Sequence, residues 1–192
     1  MNKPIILLIS AKAQHGKDSF ADAFIDEAQN KLGFRCLRIK YGDVLKFVAK
    51  QYYDWNGEKD ENGRTLLQWL GTDMGRKNNE NVWVGCVKEI VKALQTEYDF
   101  VLIPDCRFPN ELDWSDTPFF TYSIRLNRKN EDGSEFDNGL TIEQKVHPSE
   151  TSLDNVKMNY EIDNISLNDV RFAAQTILDD ILKMDKEDYI GG

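Results

Sequence analysis

Cysteine, excess positive charge, long apolar runs and repetition are all scarce in this chain, and each shortage excludes something. Among 192 residues there are three cysteines, Cys36, Cys86 and Cys106, far apart and without a CxxC pair. A disulfide scaffold is therefore not expected; a reducing compartment suits them, and each reads as a small buried apolar residue. Lys and Arg number 24 against 33 Asp and Glu, a formal net charge of -9. A surface of that sign is a poor general binder of nucleic acid polymers, although a small anion can still be held where a few cations converge. The first apolar run, Ile5–Ile9, is too short for a signal h-region or a membrane span, so no membrane partner and a cytoplasmic location are expected. No internal repeat, linker or low-complexity tract divides the chain, and 41% hydrophobic residues suffice for a single core. One domain over residues 1–192 is the economical reading.

What is present is alternation. Pro4–Ser10 is a continuous β-branched run without period-two alternation, which predicts a strand covered on both faces. After a polar loop, residues 17–32 carry Phe20, Phe24, Ile25, Ala28 and Leu32 at helical spacing, with Gly33 as a stop. Arg35–Lys40 reads as a second strand, and Asp43 stands as the N-cap of a helix through Lys46, Phe47 and Tyr52. Asp54–Gly63 reads as a loop. Helical patterns follow at Arg64–Arg76 and Val82–Tyr98, the latter long enough that it could pair two copies into a homodimer. Asp99–Asp105 predicts a second buried strand ending in a carboxylate, and Phe119–Leu126 a third. The polar stretch 127–146 is too long for an ordinary connection and reads as a mobile lid, about 127–150 with its flank. A short strand at Tyr160–Asp163 and a helix at Leu167–Met184 close an α/β domain.

Between the first strand and helix lies Ala11-Lys12-Ala13-Gln14-His15-Gly16-Lys17-Asp18-Ser19. Set against the phosphate-loop pattern G-x-x-x-x-G-K-[ST], the spacing and the Gly-Lys pair match, while Ala11 replaces the first glycine and Asp18 the hydroxyl residue. Backbone N–H groups at a helix start, the helix dipole and Lys17 would together hold phosphate. Ala11 is acceptable if its φ stays negative. Asp18 would repel phosphate unless it faces Mg2+ or points away, and Ser19 could replace the missing hydroxyl in the metal shell. The bland alternative is a lysine at an ordinary helix N-terminus, and His15 reads as a loop residue valued for its backbone rather than its ring.

The second strand ends in Asp105-Cys106-Arg107, a carboxylate and a guanidinium at the sheet edge where α/β ligands bind. Asp105 suits Mg2+ or an attacking oxygen, and Arg107 suits phosphate; alternatively the two pair with each other and end the strand. Arg64, Arg76, Arg125 and Arg128 are individually ordinary surface arginines unless they share a destination. Trp55, Trp69, Tyr52 and Tyr53 are conceivable stacking surfaces that equally suit a core.

Five blocks carry a family resemblance. Residues 11–22 (AKAQHGKDSFAD), 64–84 (RTLLQWLGTDMGRKNNENVWV), 100–113 (FVLIPDCRFPNELD), 146–154 (VHPSETSLD) and 160–170 (YEIDNISLNDV) resemble, in that order, motifs of the phage-type deoxynucleoside monophosphate kinases. The resemblance implies a P-loop NTPase fold, three layers α/β/α around a parallel sheet of about five strands, with a lid insertion. It implies transfer of the ATP γ-phosphoryl group, with Mg2+, to a deoxynucleoside monophosphate, in the host cytoplasm if the chain is phage-encoded. Carried onto this chain, Lys12, Ala13, His15, Gly16, Lys17, Asp18 and Ser19 would hold ATP, with Asn164 near the adenine. Asp43, Arg64, Gln68, Thr72 and Arg76 would line the monophosphate side. Lys17, Asp105, Arg107 and, from the lid, Arg128 would act at the reacting centre, and Asp18, Ser19 and Asp105 would serve the metal. His147 and Glu150 would order the lid exit. Ala11 and the short segment between Lys46 and Arg64 depart from the family pattern. Another small-molecule kinase, of the dephospho-coenzyme A or phosphomevalonate type, and a catalytically silent nucleotide-binding module remain open alternatives.

Overall fold

The computed structural model describes residues 3–58 and 60–190, with side chains described as far as residue 184. Five strands, β1 (Ile5–Ala11), β2 (Cys36–Arg38), β3 (Phe100–Cys106), β4 (Thr121–Arg128) and β5 (Tyr160–Asn164), form one parallel sheet in the order β2-β3-β1-β4-β5. Each crossover carries helix, so both faces are covered and the central strands can be apolar throughout. All seven residues of β1 are buried.

The side chains of β1 divide between two cores. Ile5, Leu7, Ile9 and Ala11 pack with Phe20, Phe24, Val170 and Ile177 from α1 (Lys17–Ile25) and α8 (Leu167–Ile190). Ile6 and Leu8 pack on the other face with Tyr41 of α2 (Tyr41–Tyr52) and with Val84, Val87 and Val91 of α4 (Val82–Ala93). A third, smaller core of Ala49, Trp55, Leu70 and Trp83 joins α2 and α4 to α3 (Glu61–Gln68). Trp55 is thus a core residue, its indole N–H donating to the Glu58 carbonyl at 2.7 Å, whereas Trp69 is 43% exposed.

Several sequence expectations shift at their edges. Helix α1 continues through Asp26–Lys31 and α3 through Trp69–Arg76 as π-helical turns, which accommodate one extra residue per turn and often sit beside functional sites. The loop expected to end at Gly63 is already helical from Glu61, because the Asp60 side chain accepts the Gly63 N–H at 2.7 Å and caps it. Helix α4 ends at Ala93, not Tyr98. Asp43 is no N-cap: Lys40 holds that position, and Asp43 lies in the first turn of α2.

Pro104 sits inside β3, a central strand, and lacks a ladder N–H. The register answers with a bulge: Leu8 pairs with Ile103 and Ser10 with Cys106, so Pro104 and Asp105 oppose the single residue Ile9. The extra residue turns the Asp105 carboxylate toward the start of α2.

Candidate active site

The phosphate loop keeps its form despite its substitutions. Ala11 is the last residue of β1, paired with Leu126, and has no positive φ, so the pattern's first glycine is dispensable here. The left-handed conformations fall on Gln14 (φ 64) and on Gly16 (φ 94), the residue directly before α1, where an L side chain would be strained. The start of α1 is thereby turned toward the carboxyl edge of the sheet, with its first amides unpaired by the helix itself.

Asp18 lies at that edge but among cations at the end of β2. Its carboxylate accepts from Lys40 Nζ at 2.7 Å and Arg38 Nη2 at 2.9 Å, with Lys17 Nζ at 3.4 Å. Burial would raise its pKa, but the hydrogen bonds from Lys40 and Arg38 and the Lys17 charge hold it down at about 2. A carboxylate so paired braces α1 against the end of β2, a role other than the metal contact expected of it.

His15 is a second correction: its ring matters. It is 4% exposed, its Nδ1 accepts the Arg128 N–H at 3.0 Å, and it meets Phe136 edge-on at 6.0 Å between centroids. That bond makes Nδ1 the unprotonated nitrogen, and burial together with Lys12 lowers the imidazole pKa. The Asn164 amide donates to the His15 carbonyl at 3.4 Å and to that of Asn127 at 3.2 Å. His15 and Asn164 thus tie the phosphate loop to β4 and β5. Arg128, expected in the lid, is the last residue of β4; its guanidinium lies 3.9 Å from the Phe136 ring centre and reaches the Gln14 carbonyl at 3.4 Å.

One cavity opens on the loop, and a larger one lies at the end of β3. The smaller, about 180 Å³, is lined by Gln14, Gly16, Ser19, Arg128, Asn164, Ile165, Ser166, Leu167 and Val170. Its floor is set by a reciprocal cap at the start of α8, in which Asp169 accepts the Ser166 N–H at 2.7 Å and Ser166 Oγ accepts the Asp169 N–H at 3.3 Å. The larger, about 660 Å³, is lined by Tyr41, Gly42, Leu45, Leu67, Gln68, Gly71, Thr72, Arg76, Trp83, Asp105, Arg107, Phe108, Glu111, His147, Pro148 and Ser149. It brings Gln68, Thr72, Arg76, Asp105 and Arg107 to one cavity. Asp43 and Arg64 are exposed and do not line it; Asp43 pairs with Lys46 at 3.2 Å.

The cations of the larger cavity are already partnered. Arg76 donates to Glu111 at 2.6 Å and stacks over Phe108, 4.4 Å from the ring centre. Glu111, 2% exposed, also accepts the Arg107 N–H at 2.6 Å and the Phe108 N–H at 3.1 Å at the start of α5 (Pro109–Leu112). Arg107 pairs with Glu150 and donates to the Ser149 carbonyl at 3.0 Å, both in α7 (Pro148–Thr151), which follows the short α6 (Ile142–Lys145). Asp105 accepts the Tyr41 N–H at 3.0 Å and the Gly42 N–H at 2.9 Å. Burial raises its pKa, and the two amides only partly oppose the rise. Arg107 and Asp105 therefore do not pair with each other.

Sequence reasoning left Glu111, Phe108, Trp83 and Phe136 without a site role. The Pro-Asn-Glu turn after Arg107 was the available signal for Glu111, since proline opens a helix and an acidic residue two places on can reach back to free amides. Nothing in the pattern marks the aromatic residues as site rather than core.

Among the described residues no group of three or more His, Cys, Asp or Glu side chains could hold a metal ion. Mg2+ in a nucleotide site needs only one or two protein ligands beside phosphate oxygens. Ser19, in the first turn of α1 and on the smaller cavity, fits that need; Asp18, held by three cations, and Asp105, held by two amides, are otherwise engaged.

No family model and no curated protein sequence matches the chain. Among solved structures, that of the Mycobacterium tuberculosis APS kinase CysC in complex with AMPPNP and APS is similar, with a TM-score of 0.52 and 11% identity over 93% of this chain and 98% of that one. A cysteine-to-alanine mutant of that enzyme gives a TM-score of 0.49 at 10% identity, over 93% and 97%. The chain has the P-loop NTPase fold, a parallel sheet of five strands covered by helices.

Proposed function

We propose that this chain transfers the γ-phosphoryl group of ATP to a deoxynucleoside monophosphate. The observation that carries the reading is a cavity of about 180 Å³ on the phosphate loop, between Arg128 and the β5–α8 turn, together with one of about 660 Å³ at the end of β3 beside Arg107 and Asp105. A transfer between two nucleotides needs one site on each side of the phosphates. The APS kinase of similar fold was solved with AMPPNP and APS bound.

In this reading Gly16, Lys17 and Ser19 hold the ATP phosphates, and Arg128 and Ile165 border the adenine, with Asn164 fixing the loop rather than meeting the base. Gln68 and Thr72, four residues apart along one helix, present an amide and a hydroxyl to the acceptor, while Phe108, Trp83 and Leu67 supply its apolar walls. Both substrates are anions, so catalysis is positioning and charge neutralisation, with Lys17 and Arg107 on the transferring group. Mg2+, when bound beside Ser19, would neutralise charge on the ATP phosphates.

A coupled ADP-release assay with Mg-ATP tests this against each deoxynucleoside monophosphate, its ribose counterpart, APS, dephospho-coenzyme A and phosphomevalonate. ADP release that depends on a deoxynucleoside monophosphate is expected. A second reading, a small-molecule kinase with another acceptor, is favoured by the neutralisation of Arg76 and Arg107 by Glu111 and Glu150. Turnover with a different acceptor alone would select it, and ATP binding with no transfer at all would leave a silent binding module.

A further inference from the structure

The geometry points to Glu150 as an internal stand-in for a phosphoryl group, one that must be expelled before substrate phosphate can settle on the loop. The inference rests on the phosphoryl-transfer reading above and adds a regulatory contact to the same site. One oxygen of the Glu150 carboxylate accepts the Ala13 N–H of the phosphate loop at 3.1 Å, and the other pairs with Arg107. The side chain is only 8% exposed. Four residues on, Asp154 lies 3.4 Å from Lys12 Nζ, a second acidic contact on the same loop.

A phosphate loop presents outward-facing amides that favour an anion, and a nearby guanidinium adds a full positive charge. Here one buried carboxylate satisfies both. A phosphoryl oxygen cannot share the Ala13 amide and Arg107 with Glu150, because two like charges at such separation in a shielded site repel strongly. Ligand entry therefore requires α7 to withdraw Glu150, which releases Arg107 together with the amide. With Glu150 in place the Arg107 charge is neutralised, and it becomes available only when phosphate takes the carboxylate's place. Glu150 is a positioning residue in this scheme. The fraction of molecules with Glu150 withdrawn scales the apparent affinity for phosphate ligands.

Equilibrium binding of ATP and of inorganic tripolyphosphate to Glu150→Gln and Glu150→Ala tests it. Both ligands should bind about three- to tenfold tighter than to the wild type, since the competing carboxylate is gone. The unliganded variants should melt lower while their ligand-induced rise in Tm is larger; a merely structural Glu150 would lower both. Equal or weaker binding by the variants, with the wild type binding ATP, overturns this inference alone. No binding of ATP or tripolyphosphate by any of the proteins overturns the kinase reading and this inference together. In the wild type, tripolyphosphate should speed hydrogen exchange across residues 147–154 as α7 is displaced, and protection there would likewise overturn it.

Discussion

The imidazole of His15 and the backbone of Arg128, 113 residues apart, are joined by an N–H···N bond of 3.0 Å that fastens the phosphate loop to the end of β4. The bond requires a neutral ring, because a protonated Nδ1 would turn a donor toward the Arg128 N–H. Protonation of His15 therefore opposes the folded arrangement.

The sign of the resulting pH dependence follows. Burial and Lys12 set the folded pKa of His15 below 6.5, its value in an unfolded chain. Its contribution to stability is complete above the unfolded pKa and is lost as pH falls through the folded one. His15→Asn keeps an acceptor without the titration. The stability difference between wild type and this variant, measured by urea unfolding, should move against the wild type as pH is lowered from about 7 toward 5. A difference independent of pH would remove His15 as the titrating group.

Asp18 titrates in a different window. Its folded pKa of about 2 lies below the ordinary 3.8, so its ion pairs stabilise fully above the higher value and are lost as pH falls through the lower. Asp18→Asn should be less stable than wild type at neutral pH. The gap should close between about pH 4 and pH 2, where a gap that persisted would mean that the pairs with Lys40 and Arg38 contribute nothing.

Lys17→Ala should abolish transfer while leaving the fold intact, as its ammonium ends beside Asp18 at the loop rather than in a core. A fall in kcat of about 10²-fold or more, with Tm nearly unchanged, is the expected outcome in steady-state assays and thermal melts. Near-normal turnover would sink the phosphate-loop assignment.

Glu111 is a structural keystone of the larger cavity, since Arg76 and two backbone amides converge on its buried carboxylate. Glu111→Ala leaves Arg76 partly buried without its partner and should cost about 3–5 kcal/mol in chemical unfolding. Acceptor KM should rise as well, because the Arg76 wall of the cavity loses its anchor. A loss below ~1 kcal/mol would reduce the pair to an exposed one.

Arg128→Ala distinguishes a lid residue from a cavity wall. A group acting from a lid mainly in the transition state would lower kcat alone, whereas Arg128 lines the smaller cavity from the end of β4. Its loss should raise KM for ATP about tenfold, the equivalent of ~1.4 kcal/mol, together with a lower kcat. A change confined to kcat would restore the lid assignment.

How far the sequence could be read depends on where each signal resides. The apolar runs at Ile5–Ala11 and Phe100–Cys106 and the Gly16-Lys17 turn are legible because burial on both faces and a left-handed glycine are demands that a few adjacent residues must meet themselves. The gathering of Gln68, Thr72, Arg76, Asp105 and Arg107 around one cavity was legible only through motif order, since they come from separate elements.

The sequence by itself determined an acidic α/β fold with a phosphate loop between its first strand and helix. Only the tertiary structure decided how the charges are partnered: it turned Asp18 toward Arg38 and Lys40, placed Glu111 under Arg76, seated Glu150 between Ala13 and Arg107, and left Asp43 and Arg64 outside the larger cavity. Local pattern sets strand and helix through nearest-neighbour burial and backbone preference, but Asp18 and Glu150 find partners 20 and 137 positions away. A side chain's charge is therefore written in the chain, while its freedom to meet a phosphate is settled when the sheet closes.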